Sequence, residues 1–331
     1  MPPRLATPSL AADDAALFPP SEPFDSGWLD VGDGHRLWYE QCGVPQGLPV
    51  VFLHGGPGSG CSARHRRLFD PQLFRVVLFD QRGCGRSLPR GRVASNTTND
   101  VVADIERLRE HLGIDRWLVT GGSWGSSLAI AYCAAHLTSC LGALLRGVFL
   151  TGKDDVDGFF QGAERLWPEA WGDLAEGVPS LHSARIAEYY IDAVCSSDAD
   201  LAGAAVRRWM QWEAALTSAS DGQLPLPVLD DQALAAAIDK YRVQAHYLAH
   251  DCFLGEAALL ALAVKMQRLP TAILHGQNDL VCRPANARRL HDVLPGSRLV
   301  LVEGAGHSPF DTPMVQAFIT TSRHFHAHGA F

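Results

Sequence analysis

The chain has 331 residues, of which 47% are hydrophobic and 19% charged, and a formal net charge of −8. That length and balance suit one large globular domain carrying an insertion, or two modest domains. The acidic balance argues against nucleic acid or an anionic membrane as the main partner. Eight cysteines are scattered with no Cys-x-x-Cys or paired Cys/His spacing, so neither a structural metal nor a cofactor is expected. The N-terminus has no basic segment leading into an apolar one, since Asp13 and Asp14 interrupt it, and no apolar run reaches spanning length. A cytoplasmic protein with reduced thiols, monomeric or a small homo-oligomer, is the resulting expectation.

Residues 1–20, rich in Ala and Pro, read as a loose arm. Alternating elements begin near Trp28. Val50-Val51-Phe52-Leu53 is a buried-strand run ending in His54-Gly55-Gly56-Pro57-Gly58. Val76-Val77-Leu78-Phe79 is a second, ending in Asp80 to Ser87. From Asp100 to Leu112 the apolar residues Val101, Ile105, Leu108 and Leu112 follow a helical spacing, stopped by Gly113. A strand at Trp117 to Thr120, a helix from Ser126 and a strand from Ala143 to Phe149 come next. Residues 151–265 are then helical in character, with Trp167, Trp171, Trp209 and Trp212. Strands return at Thr271–Leu274 and Arg298–Val302. Strands separated by helices imply an α/β fold with a mostly parallel sheet covered on both faces. The expected organisation is a core of residues 21–150 and 266–331, with residues 151–265 inserted as a helical cap.

Gly121-Gly122-Ser123-Trp124-Gly125 reads G-x-S-x-G between a strand and a helix. That context marks a nucleophile elbow, with Ser123 raised at the strand end. Serine is a weak nucleophile and needs a base, which in turn needs an orienting acid. In this fold the chain order is Ser, acid, His. Asp279 follows the 271–274 strand, and His307 follows the last strand, both in loops where open α/β sheets bind ligands. Asp292 and Glu303 compete with Asp279 for the acid role from less direct positions. The Trp124 amide, together with one at Gly55 or Gly56, would hold the oxyanion. No Gly-Lys-Ser/Thr follows the glycine loop, which speaks against a nucleotide site. His54 is read as organising that loop.

Taken together, the runs His54 to Gly58, Asp80 to Ser87, Asn96-Thr97-Thr98, Gly121 to Gly125, Trp209 to Glu213 and Gly304 to Ser308 resemble the proline iminopeptidases. The likeness covers roughly residue 18 to the end. It implies an α/β-hydrolase fold and a metal-free serine exopeptidase that releases N-terminal proline from small peptides. It also implies that Glu213 binds the substrate's free amino group from the cap. The family's second amine-binding glutamate falls at Gln244, which keeps an acceptor oxygen but loses the charge. Asp251, in the following turn, could restore that carboxylate or be unrelated to it. Phe149 is expected to wall the prolyl pocket or simply to pack in the core. Thr151-Gly152-Lys153 stands where the family tends to carry an Arg. Cys84 and Cys282 lie in loops near the inferred site, where a thiol reagent would block the cleft. The alternative is a related amidase, esterase or acyl-transfer enzyme with altered amine recognition. A non-catalytic binder on the same scaffold is disfavoured by the intact Ser, Asp and His.

Overall fold

A computed structural model describes residues 14–162, 164–182, 185–218 and 224–331. Eight strands form one sheet: β1 (Asp25–Gly32), β2 (His35–Gly43), β3 (Leu48–Leu53), β4 (Phe74–Phe79), β5 (Trp117–Ser123), β6 (Cys140–Val148), β7 (Thr271–Gly276) and β8 (Arg298–Val302). Their spatial order is β1-β2-β4-β3-β5-β6-β7-β8. The β1/β2 and β2/β4 pairs are antiparallel and every pair from β4/β3 onward is parallel. The expected α/β fold with a mostly parallel sheet is therefore what the chain adopts.

Side-chain alternation along these strands feeds two separate cores. Val51, Leu53, Val77, Phe79, Val119 and Ile273 pack beneath α2 (Thr98–His111), α3 (Trp124–Ala135), α9 (Glu256–Lys265) and α10 (Pro284–Val293). Val50, Phe52, Val76, Leu78 and Leu274 face the other way, against Phe69, which follows the short helix α1 (Ala63–Arg66), and against α11 (Thr312–His328). Covered on both faces, β5 and β7 are buried almost throughout, so they read as continuous apolar runs. The edge strand β1 instead alternates between half-buried and exposed. Helix α2 begins at Thr98, two residues before the expected start at Asp100, because Thr97 and Asp100 form a reciprocal capping box.

The arm expected over residues 1–20 lies outside the described residues up to residue 13. Its remainder is attached: Leu17 is buried and the Phe18 amide donates to the Arg67 carbonyl at 3.0 Å. The inserted segment is helical, as α4 (Lys153–Phe160), α5 (Pro168–Glu176), α6 (Ile186–Val194), α7 (Ala199–Ser218) and α8 (Asp231–Leu248). It has its own core, in which Phe160, Tyr190, Trp209, Trp212 and Tyr241 meet. Truncating either buried indole to Ala would cost about 3–5 kcal/mol. The helical run then divides. Leu259 and Ala263 of α9 belong to the sheet core rather than to this cluster. Among the described residues no single helix is long and apolar enough to cross a membrane. The bent pair formed by residues 231–248 and 251–265 passes that test only when taken together.

Candidate active site

Ser123 is the last residue of β5 and precedes α3, with φ 55° and ψ −128°. A non-glycine residue held there costs on the order of 1–3 kcal/mol. The turn closes so tightly that a Cβ on Gly121 would strike the Gly125 carbonyl, and one on Gly125 the Leu53 carbonyl. Ser123 makes no cap bond to its own helix, which leaves the hydroxyl free. Its Oγ lies 4.0 Å from the Cys282 Sγ.

His307 Nδ1 donates to Asp279 Oδ2 at 2.8 Å. The other Asp279 oxygen accepts from the amides of Val281 at 3.0 Å and Cys282 at 2.8 Å. Burial alone would push this carboxyl up, but the charge and hydrogen bond of His307 outweigh burial and hold it below its ordinary value. With Nδ1 committed to Asp279, His307 has Nε2 left to serve the cavity that it lines together with Ser123. The competing carboxylates Asp292 and Glu303 are exposed.

Three neighbours stiffen this pair. Arg146, buried beside it, donates from Nη1 to the His307 carbonyl at 2.5 Å. His275 sits in β7, and its Nδ1 accepts from the Val148 amide at 3.1 Å. Its proton therefore sits on Nε2, where it is donated to the Cys282 carbonyl at 2.8 Å. Cys282 thus takes part in fixing the Asp279 loop, and burial raises its thiol well above the ordinary value. Cys282 lines the cavity, as expected. Cys84 is buried and does not; its Sγ donates to the Arg82 carbonyl.

Because β3 pairs with β5, the loop after β3 arrives beside the elbow. A Cβ built on Gly55 would sit 3.3 Å from the Ser123 Cβ. Gly55 and Gly56 line the cavity, and the first amides of α3 begin at Trp124. Backbone N–H groups at a helix N-terminus favour an anion. The loop is braced from behind by His54, whose Nε2 accepts from the Gln81 amide at 3.0 Å, which leaves the ring proton on Nδ1 to be donated to the Gly55 carbonyl at 3.0 Å. Gln81 in turn donates to the His54 carbonyl and accepts from the Trp124 indole at 2.9 Å, tying loop to elbow.

Above these residues lies a cavity of about 340 Å³, near the small end of ligand sites. Phe149, Phe159, Phe160 and Val281 wall it, and Glu213, Gln244 and Lys240 line it from the cap. Glu213 Oε2 accepts from the Tyr241 hydroxyl at 2.6 Å and from Lys240 Nζ at 3.3 Å. Its Oε1 accepts from Gln244 Nε2 at 3.0 Å. Burial pushes this carboxyl up, but the Lys240 charge and the three donors hold it below its ordinary value. Helix α8 is seated directly on the core, because Gly58, at φ +97°, has the Lys240 carbonyl where a side chain would begin.

Asp251 is not brought to this site. The chain leaves α8 and turns through residues 251–253, all at positive φ, which buries Cys252 and exposes Asp251. No second carboxylate therefore stands opposite Glu213 at that point. Lys153 is exposed at the start of α4, away from the lining. The same helix supplies a cavity carboxylate that sequence reasoning passed over. Asp155 accepts from the Leu150 amide and the Asn286 side chain, both at 2.7 Å, and burial pushes it up. Arg146, His275, Lys240 and Asp155 were missed because no motif marks them. A polar residue inside an apolar strand was the one available signal for Arg146 and His275. Among the described residues no group of three or more His, Cys, Asp or Glu is placed to hold a metal ion.

Residues 49–313 match the family model of the alpha/beta hydrolase fold. A proline iminopeptidase of Xylella fastidiosa is 41% identical over 311 residues, covering 93% of this chain and 99% of that one. A probable proline iminopeptidase of Leptolyngbya boryana is 40% identical over 312 residues, covering 93% and 96%. The crystal structure of an esterase, RhEst1 from Rhodococcus sp. ECU1013, superposes with a TM-score of 0.62 at 19% identity over 92% of this chain and 98% of that one, a likeness of fold alone.

Proposed function

The chain belongs to the α/β-hydrolase fold family and, within it, to the proline iminopeptidases, and on that premise we propose a serine exopeptidase that releases N-terminal proline from short peptides. The observation that carries the reading is one cavity lined by Ser123, by His307 with Asp279 bonded behind it, and by the Glu213 carboxylate. A carboxylate sharing the cavity with the nucleophile selects substrates by their free amine and so restricts cleavage to the first residue.

In this reading Ser123 Oγ attacks the scissile carbonyl carbon while His307 Nε2 takes the hydroxyl proton. Asp279 keeps the ring in the tautomer that can accept it and stabilises the imidazolium that forms. The tetrahedral oxyanion sits on the Trp124 amide and on an amide of the Gly55-Gly56 loop. Each such donor is worth about 2.7–4 kcal/mol in systems of this kind. Collapse expels the amine, which takes the proton from His307 and leaves a prolyl ester on Ser123. Water, deprotonated by the same His307, releases proline. Glu213 and Gln244 receive the imino nitrogen, and Phe149 lies against the ring. Neither metal nor cofactor is needed for any of these steps. Small peptides are the proposed substrates of a cytoplasmic monomer or small homo-oligomer.

A second reading is favoured by one observation: Glu213 is already paired with Lys240 and Gln244, and among the described residues Asp251 is exposed and supplies no second carboxylate beside it. A related amidase, esterase or acyl-transfer enzyme acting on a small molecule without a free amine would suit such a site. The purified protein should hydrolyse a proline arylamide, and a fluorophosphonate should label Ser123. Labelling without turnover of the arylamide, together with cleavage of amine-free acyl esters, would favour the second reading.

A further inference from the structure

We propose that Lys240 is a specificity-determining residue: its ammonium holds the Glu213 carboxylate in the free protein, and the protonated amine of the substrate binds by displacing it. This rests on the reading of Glu213 as the amine-binding group. Three donors hold the Glu213 carboxylate, two of them on Oε2, and they differ in how easily they can leave. Tyr241 is fully buried, with its hydroxyl at 2.6 Å, and Gln244 is 7% exposed, with its amide at 3.0 Å. Lys240 makes the longest of the three bonds, 3.3 Å, and its side chain is 32% exposed. It is the one partner whose charge can return to water at small cost.

The vacated position suits a secondary ammonium. A protonated N-terminal proline carries two N–H donors. One replaces Lys240 Nζ on Glu213 Oε2. The other has a target in Gln244 Oε1, which is buried and has no hydrogen-bond partner among the described residues. A buried acceptor without a donor is a standing cost that a correctly placed N–H relieves. Charge balance agrees. The Glu213–Lys240 pair is formally neutral, and exchange of one monocation for another keeps it so. A neutral acylated N-terminus gains nothing from this exchange, because it cannot replace the charge that leaves. Lys240 Nζ also lies 4.4 Å over the Tyr241 ring, so leaving forfeits that contact too and adds to the resistance. The device therefore weakens binding of every amine while penalising non-amines more.

The test uses the full chain with Lys240→Met, which keeps the apolar stem, and Lys240→Arg, which keeps the charge. KM for a proline arylamide is measured alongside the concentration of pyrrolidinium chloride that protects Ser123 from a fluorophosphonate. The expected result for Lys240→Met is a fall of about two- to fivefold in both quantities, the worth of a partly exposed charge pair, with kcat little changed. Lys240→Arg should resemble the wild type. If Lys240→Met leaves both unchanged, or raises them, Lys240 is not a competitor and instead merely positions Glu213. A wild type that fails to cleave the arylamide defeats the peptidase reading separately, and the pyrrolidinium constants then decide the role of Lys240 by the same criterion.

Discussion

Replacing Gln244 with Glu sets a second carboxylate against Glu213. In the wild type Gln244 Nε2 donates to Glu213 Oε1 at 3.0 Å. Exchanging that amide for a carboxylate turns an attraction into a repulsion of about 5 kcal/mol at an effective dielectric of roughly 20. The free variant relieves it by taking up a proton on the pair, so one carboxyl titrates above its unfolded value. The sign follows: the variant matches wild-type stability in acid and loses stability as the pH rises through that raised value. A bound prolinium reverses the balance, since its two N–H groups then meet two charged acceptors. Hydrogen bonds to charged groups contribute about 1.5–3 kcal/mol, against about 1 for neutral ones. The net gain is about 0.5–2 kcal/mol, or roughly two- to thirtyfold in kcat/KM. Steady-state hydrolysis of a proline arylamide at mildly alkaline pH measures it, with the N-acetylated arylamide as the control that should not improve. An unchanged or lower kcat/KM for the free amine would refute the seating of the imino nitrogen between residues 213 and 244.

Other outcomes follow from the same geometry. Ser123→Gly should abolish turnover and fluorophosphonate labelling yet raise stability to urea by about 1 kcal/mol, because glycine relieves the φ of 55°. Asp279→Asn, by freeing the His307 tautomer, should lower kcat by on the order of 10³–10⁴ while circular dichroism stays unchanged. Asp104→Ala leaves the buried Arg82 guanidinium, 2.6 Å from that carboxylate, with only the half-exposed Asp33 as a charged partner at 3.2 Å, and should cost about 3 kcal/mol in urea unfolding. Glu106 is pushed up by burial but drawn down more strongly by Arg109 and Tyr132, from 4.5 to about 2. Its contribution is therefore complete above pH 4.5 and disappears as the pH falls through about 2. Glu106→Gln should accordingly be less stable than wild type at neutral pH, with the gap closing on acidification through that window.

The strands, the elbow and the loops bearing Asp279 and His307 were legible because each rests on local pattern: an apolar run, a tight turn, a place just after a strand. The same holds for α2, whose start was misjudged by two residues only because the capping box precedes the apolar spacing. What sequence reading missed depends on contacts across the fold. Lys240 looks like a solvated helix charge until α7 and α8 are packed together, which places it 3.3 Å from Glu213. Asp251, which the sequence leaves open as either a replacement carboxylate or an unrelated residue, is turned outward by three residues of left-handed backbone. Helix α9 was assigned to the cap by its helical character, which says nothing about which core receives its apolar face. His275 and Arg146 interrupt buried strands with polarity, a signal whose meaning appears only beside Asp279 and His307.

The central claim is that Ser123 forms a prolyl ester selected through the free amine. It is tested most directly by incubating the purified protein with a proline-initiated dipeptide, its N-acetylated form and an alanine-initiated analogue, and by measuring the amino acid released. The account predicts release of proline from the first, no cleavage of the second and slow cleavage of the third. Equal cleavage of the acetylated and free peptides, or none of either while Ser123 still reacts with a fluorophosphonate, would contradict it.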